Sequence, residues 1–243
     1  LCLRSASCMT GASISEHAAI TAEVALTTGD YAGASQFAEK AQRSRDPELR
    51  RRAVVCLARC AQHAGEVADA ADLLSGLVSD FPEDASLRAA LAKVLLAQGR
   101  FSQASAEASV ALGLEGDSDV RFSATEVKAL SLLYSGQEEE AATCFQALLS
   151  LAQADGDLRL VGRAQGLRGM LAQSQGELRE AISLYRDAAA KSLASGALHA
   201  AAVFDLNTAT IQQRTANYAE ALLSLQGALR HLQHSGTPFE LAA

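Results

Sequence analysis

Tryptophan is absent from the 243-residue chain, and aromatic residues make up only 5% of it. Sheet cores depend on β-branched and aromatic side chains, so this scarcity argues against a β-rich fold. The chain also lacks any run approaching the roughly 20 apolar residues that span a bilayer, and no segment has the features of a signal peptide. We therefore expect an all-α protein with no membrane insertion.

Long basic blocks are missing too. The longest is Arg50–Arg52, the net charge is −7, and charges of both signs are interspersed along the chain. Binding to phosphate backbones needs a concentrated positive surface. The composition therefore argues against a nucleic-acid partner. The basic residues are mostly arginine, a codon-usage bias that suggests a bacterial source.

Cysteine does not follow a disulfide pattern, because the five cysteines are odd in number and irregularly spaced. This favours a reduced, cytoplasmic setting. Cys56, Cys60 and His63 share one face of a predicted helix and could contact a soft metal. A tetrahedral site needs a fourth ligand and outer-shell support, so we interpret Cys60 as a small packing residue and predict no metal.

Catalytic motifs are also missing. The sequence has no glycine-rich phosphate loop, nucleophile elbow, HExxH or dinucleotide fingerprint. The acidic run Glu138–Glu140 is typical of a solvated helix N-terminus, where negative charge is stabilised by the macrodipole. His231 and His234 are typical of a helix C-terminus for the same reason. We predict that the chain is no enzyme and holds no cofactor.

What the chain does contain is a short pattern repeated six times: a glycine, a bulky residue about two places later and an alanine five places later. The repeats start at Gly29, Gly65, Gly99, Gly136, Gly176 and Ala216, so successive starts are 36, 34, 37, 40 and 40 residues apart. Each start is preceded, seven residues earlier, by a small residue. Small residues let paired helices approach closely, and a glycine ends the first helix where a left-handed cap costs least. The pattern predicts six helical hairpins.

This pattern resembles the tetratricopeptide repeat (TPR) family. The family's aromatic position is filled by Tyr31, Phe101 and Tyr218, and Pro82 stands where the family carries proline. The resemblance covers about residues 15–235, and its last three repeats are of the 40-residue type. It implies an all-α, right-handed superhelical solenoid of about six TPR hairpins.

The resemblance also predicts a division of the chain. Residues 1–14 would be the remnant of a preceding repeat or flanking segment, 15–118 would form repeats 1–3, 119–235 the longer repeats 4–6, and 236–243 the start of a further segment. The first helix of each hairpin would line a concave groove. Carried over by position, the predicted partner-binding residues are Glu126, Leu130, Tyr134, Arg163, Leu167, Met170, Gln173, Asn207, Thr210, Gln213 and Arg214, with Arg52 and Arg59 in an earlier repeat.

Asn207 stands out because related repeats carry an asparagine there that grips a peptide backbone. An amide gives and accepts a hydrogen bond at once; the alternative is an ordinary polar residue on an exposed helix face.

The resemblance implies a protein–protein interaction scaffold or adaptor for a protein or peptide, a small GTPase and a machinery component being among the candidates. Motility, polarity, secretion and signalling machinery are the expected settings. The alternative function is a peptide-sensing regulatory domain attached to a kinase or a transcription regulator. The oligomeric state is left open.

Overall fold

The computed structural model describes residues 11–27 and 30–234, apart from the side chains of residues 11–13 and 27. Within these ranges the chain forms twelve α-helices and no strand. They are α1 (Gly11–Thr27), α2 (Tyr31–Ala41), α3 (Pro47–His63), α4 (Val67–Asp80), α5 (Ala85–Ala97), α6 (Phe101–Gly113), α7 (Ser118–Tyr134), α8 (Glu138–Asp155), α9 (Leu158–Ser174), α10 (Leu178–Ala194), α11 (Leu198–Arg214) and α12 (Tyr218–His234). The prediction of an all-α chain of helical hairpins is confirmed.

Two compact units make up the chain: the first ends at Val127 and the second begins at Lys128, inside α7. In the first unit the hairpins α1/α2, α3/α4 and α5/α6 stack in chain order, and in the second α8 packs on α9, followed by the hairpins α9/α10 and α11/α12. From α1 to α6 and from α8 to α12, each helix thus packs on the helix that follows it in sequence. The predicted segment 236–243 and most of the predicted segment 1–14 lie outside the described residues.

Five of the six predicted hairpin turns contain a left-handed residue. Gly65, Gly99, Gly136 and Gly176 have φ angles from 72° to 80°, and Ala216 adopts the same conformation with φ 61°. The residue after each of these turns closes it; for example, the amide of Glu66 donates to the carbonyl of Ala61 at 2.8 Å. This is the bond that satisfies the last free carbonyls of a helix. At these five turns the pattern marks the helix ends as predicted, and the sixth start, Gly29, lies outside the described residues.

Aspartates begin several of the helices. The carboxylate of Asp46 accepts from the amide of Glu48 at 2.9 Å, with Pro47 at the first helical position. Asp84 does the same for α5 and Asp157 for α9. Such caps satisfy amides that have no partner inside the helix and contribute about 1 kcal/mol each. They fix where α3, α5 and α9 start.

The helix crossings are lined by small side chains. The residues seven places before the turn and five places after it are all buried, most of them completely. Those before the turn are Ala22, Ala58, Ala92, Ala129, Gly169 and Ala209, and those after it are Ala34, Ala70, Ala104, Ala141, Ala181 and Ala221. Side chains no larger than a methyl group at these crossings let the helices pack closely, which explains how a core forms with so few aromatic residues.

Candidate functional site

A groove of about 480 Å³ opens on the second unit, between the first helices of its hairpins. Its lining comes from the end of α7, from α9 and α11, and from one residue of α10. The lining residues, which together define the Asn207 groove, are Leu133, Tyr134, Met170, Gln173, Ser174, Tyr185, Asn207 and Arg214. Five of these belong to the predicted partner-binding set: Tyr134, Met170, Gln173, Asn207 and Arg214.

The helical period brings these side chains to one face. Met170 and Gln173 are three residues apart on α9, and Asn207 and Arg214 are seven apart on α11. Both spacings place side chains on the same side of a helix. Because repeats in this unit are 40 residues long, Tyr134, Ser174 and Arg214 occupy equivalent positions on three helices. The groove is thus a product of the repeat.

The floor of the groove is held by Tyr185. Its hydroxyl donates to Oε1 of Gln173 at 3.1 Å, while the ring is 1% exposed and packs in one cluster with Ile211. Burial, together with the nearby hydroxyl of Tyr134, raises the pKa of Tyr185 to about 12. The phenol therefore stays neutral at physiological pH. Because Oε1 of Gln173 accepts its hydrogen bond, the Nε2 group of Gln173 is the one left to donate. This contribution of Tyr185 was not predicted, although a tyrosine at a packing position needs a partner for its hydroxyl.

The polar groups at the rim are available for binding. Neither the amide of Asn207 nor the guanidinium of Arg214 forms a side-chain hydrogen bond or ion pair within the described residues. Asn207 is half-buried and Arg214 is exposed. An amide beside an apolar floor can pair with a peptide backbone through its donor and acceptor together. The groove therefore offers one bidentate amide and one cation above Leu133, Met170 and Tyr185.

The other predicted residues of the second unit lie elsewhere. Leu167 is only 7% exposed and packs in the core, Leu130 is half-buried, and Arg163 is exposed on α9 outside the groove lining. Thr210 and Gln213 line a separate depression of about 410 Å³. Its other lining residues are Leu206, Ala209, Tyr218, Ala221, Leu222 and Leu225. The predicted set is thus divided between a groove, a depression and the core.

Three predicted residues belong to the first unit. Glu126 is 6% exposed, so it offers little surface. Arg52 forms a bidentate pair with Glu23, with Nε–Oε1 and Nη2–Oε2 distances of 2.7 and 2.6 Å. That pair joins α3 to α1. Arg59 is exposed, and forms no hydrogen bond or ion pair with the residues described.

The Cys56–Cys60–His63 face has partners within the protein. The thiol of Cys60 donates to the carbonyl of Tyr31 at 3.5 Å, and the ring of His63 stacks on that of Tyr31 with centroids 3.5 Å apart. Burial raises the pKa of the Cys56 thiol to about 11. In residues 11–27 and 30–234, histidine, cysteine and acidic side chains nowhere form a group of three suited to a metal.

A further finding concerns membranes: none of the described helices combines the length and the apolar content that crossing a bilayer requires.

Comparison with known proteins gives the fold. The family model for the tetratricopeptide repeat matches residues 61–124. No curated protein matches the chain. Among solved structures, a Rap protein complexed with competence and sporulation factor has a TM-score of 0.79 at 14% identity, covering 93% of this chain and 66% of that one.

Two other structures are similar over most of this chain. A thermophilic TPR protein of Thermus thermophilus has a TM-score of 0.58 at 19% identity, covering 86% of this chain and 99% of that one. Aspartyl phosphate phosphatase F from Bacillus subtilis has a TM-score of 0.67 at 12% identity, covering 96% and 74%. Identities this low show a shared fold alone. The chain spans just under two thirds of the Rap protein's length.

Proposed function

We propose that this chain, which is built of tetratricopeptide repeats, is a protein-interaction scaffold that binds a peptide segment of a partner in the Asn207 groove. The observation that carries the proposal is the pairing of an apolar floor with the side chains of Asn207 and Arg214, which have no hydrogen-bond or ion-pair partner among the residues described. Repeat proteins of this kind use such extended surfaces for binding, and the fold is generally an interaction module. We also propose that the chain is no enzyme.

The groove suggests what kind of segment would bind. An extended backbone presents an amide and a carbonyl to Asn207, and an apolar side chain of the segment would pack on Met170 and Tyr185. Arg214 would attract an acidic side chain or a terminal carboxylate, which it can hold through two parallel hydrogen bonds. The proposed ligand is therefore an extended peptide with an apolar residue and a nearby negative charge.

Panning a phage-displayed peptide library on the purified chain tests this proposal, followed by titration of the enriched peptides against variants. We expect Asn207→Ala to weaken binding about 5- to 150-fold, because a buried backbone group of the peptide loses its partner, at about 1–3 kcal/mol. Arg214→Ala should weaken the binding of acidic peptides and make their affinity less dependent on salt concentration.

The matched control is Arg179→Ala, which removes an exposed arginine of α10 that lies outside the groove. Its affinities should equal those of the unmodified chain. If the enriched peptides bind the Asn207→Ala and Arg214→Ala variants with unchanged affinity, the groove is not the site. Arg163→Ala, run alongside, tests whether the binding surface extends along α9.

A second candidate is a peptide-sensing regulatory domain. It is favoured by the likeness to the Rap protein that was solved with competence and sporulation factor. A sensor must bind its peptide more tightly in one of two conformations, whereas a scaffold need not change shape. Small-angle X-ray scattering with and without an enriched peptide separates the two, because a change in radius of gyration on binding favours the sensor.

The finer predictions stand as part of this proposal. The bacterial source, the cytoplasmic location, the attachment to motility, polarity, secretion or signalling machinery and the small-GTPase partner come from the family resemblance. Titrating a purified small GTPase against the chain and against Asn207→Ala would test the last of them.

A further inference from the structure

The last helix carries an apolar stripe that faces solvent. Tyr218, Leu222, Leu225 and Leu229 are spaced four, three and four residues apart on α12, and each is 45% or more exposed. This spacing puts them on one side of a helix. These four residues are called the α12 stripe. Three of its members, Tyr218, Leu222 and Leu225, also line the depression beside α11.

The equivalents of Leu225 and Leu229 in the preceding hairpins are covered. Forty residues before Leu225 and Leu229 stand Tyr185 and Ala189 of α10, which are 1% and 5% exposed. The residues another forty earlier, on α8, are buried as well: Phe145 and Leu149. On α10 the cover is the first helix of the next hairpin, because Tyr185 packs in one cluster with Ile211 and stacks on Phe204, with ring centroids 6.3 Å apart. The α12 stripe is therefore a stacking surface that no described helix covers.

The first helix shows the complementary situation. His17, Ile20 and Val24 of α1 are exposed, Ile20 by 46% and Val24 by 55%. These three residues are called the α1 face. Their equivalents 36 residues later on α3 are all buried: Ala53, Cys56 and Cys60. Ala53 and Cys56 lie in one core cluster with Ala38 and Ala41 of α2, the second helix of the preceding hairpin. The α1 face is thus the other half of the same kind of interface.

We propose that the α12 stripe of one copy of this chain packs on the α1 face of a second copy. Such a contact repeats between copies the interface that already joins α2 to α3 and α10 to α11 within one copy. It does not depend on the proposed peptide-binding function. Because a stripe meets a different surface, the interface is heterologous, so each dimer still exposes one stripe and one α1 face and can grow further.

Charge favours this pairing. Helices joined by a short turn run antiparallel, as α10 and α11 do, so the C-terminal half of α12 would lie along the N-terminal half of α1. The first carries the exposed Arg230 beside Leu229, and the second carries the exposed Glu16 beside His17. Neither residue forms an ion pair within the described parts of the chain. A stripe packed on a second stripe would bring two copies of Arg230 into one interface.

The first test is the mass of the chain as a function of concentration, measured by sedimentation velocity from about 1 μM to 500 μM. This range detects self-association with a micromolar dissociation constant. We expect the weight-average mass to rise steadily beyond that of a dimer. Leu225→Glu should weaken the self-association at least about tenfold, since the contact would bury a charge without a partner. Leu223→Glu is the matched control: Leu223 is 66% exposed on the same helix, outside the stripe, and the substitution should leave the association unchanged.

The second test mixes two variants. Ile20→Glu blocks the α1 face and leaves the stripe intact, whereas Leu225→Glu does the reverse. Each variant alone should stay monomeric. An equimolar mixture should form a dimer that grows no further, because the intact stripe and the intact face are both used in the contact and only the two substituted surfaces are left.

Three outcomes would overturn the proposal. The unmodified chain could remain monomeric throughout, which would leave the two surfaces to a foreign partner or to other parts of a longer polypeptide. The Ile20→Glu variant alone could still dimerise, which would indicate stripe-to-stripe contact. Finally, Leu223→Glu could weaken the association as much as Leu225→Glu. Far-UV circular dichroism of each variant verifies that the helices are retained.

Discussion

Gly169 lies so close to Tyr185 that a Cβ atom at position 169 would come within 2.9 Å of the ring atoms Cδ1 and Cε1. The other five repeats carry alanine at this crossing. The ring cannot move aside easily, because it is 1% exposed and its hydroxyl is bound to Gln173. Tyr185 therefore both forms the floor of the groove and packs against α9 at this crossing.

Gly169→Ala should destabilise the protein, although alanine is the better helix former. Overpacking a tight core costs about 1–3 kcal/mol, which exceeds the gain of up to about 1 kcal/mol from removing a helical glycine. Urea denaturation measures the difference. Gly76→Ala is the control: Gly76 lies inside α4 with no atom within 4 Å of its added Cβ, so that variant should gain stability. Equal effects of the two substitutions would contradict the contact.

Ala216→Gly should stabilise the last hairpin. Ala216 has a φ of 61° at the turn position where the other five repeats carry glycine, and a left-handed alanine costs about 1–2 kcal/mol. Glycine relieves this strain but loses more entropy on folding, so we expect a net gain of about 0.5–1 kcal/mol. The melting temperature reports it. Gly176→Ala, the reverse change at the equivalent turn, should lower the melting temperature by a similar amount.

The pH dependence of stability should report the burial of Asp205. Burial raises the pKa of this carboxyl, and the opposing influence of His231, Arg230 and Arg186 does not cancel it. A raised folded-state pKa means that the contribution of Asp205 to stability is present below its unfolded pKa of about 3.9 and is lost as pH rises through the folded value.

Asp205→Asn removes this titration. The difference in unfolding free energy, unmodified chain minus variant, should fall as pH rises from 4 to 7. Asp187→Asn, at an exposed carboxylate of α10, is the control for the loss of a negative charge. A flat difference for Asp205→Asn would show that the ion pair with His231, 3.5 Å away, cancels the effect of burial, and a rising difference would show that it outweighs burial.

Cys56 should resist alkylation in the folded protein. The reactive species is the thiolate, and with a pKa of about 11 it amounts to only about 0.1% of the thiol at pH 8. An ordinary cysteine, with a pKa near 8.5, is about one quarter thiolate at that pH. Burial raises the pKa values of Cys60 and Cys144 as well. Peptide mapping after iodoacetamide treatment, with and without urea, measures each site; rapid native labelling of Cys56 would contradict its burial.

The fold was readable from the sequence because its signal repeats. A glycine at a helix end has one conformational reason to be there, and six such turns in register with small residues predict the hairpins. Ala216 shows that the repeat spacing predicts the turn even without a glycine: the turn forms there although alanine disfavours a positive φ. The structure adds the division of the chain at Val127, which coincides with no break in the pattern.

The candidate site was less predictable. Position in a repeat tells which side of a helix a residue lies on, but not how far a neighbouring helix covers it. Leu167 and Asn207 occupy the same position, yet Leu167 is buried and Asn207 lines the groove. Side chains across an interface add fits that the repeat does not specify; for example, Phe204 lies against Gly166, where a Cβ would come within 2.1 Å of its ring. Such local fits are properties of the packed structure.

The stacking of neighbouring hairpins has a consequence for folding kinetics. The hydrogen bond from Arg51 to Asp84 joins α3 to the start of α5 across only 33 residues of chain. Contacts this local require little loop closure before they form, which favours fast folding. Folding can begin at any hairpin and spread to its neighbours, so within each unit the order in which the hairpins form would follow local stability.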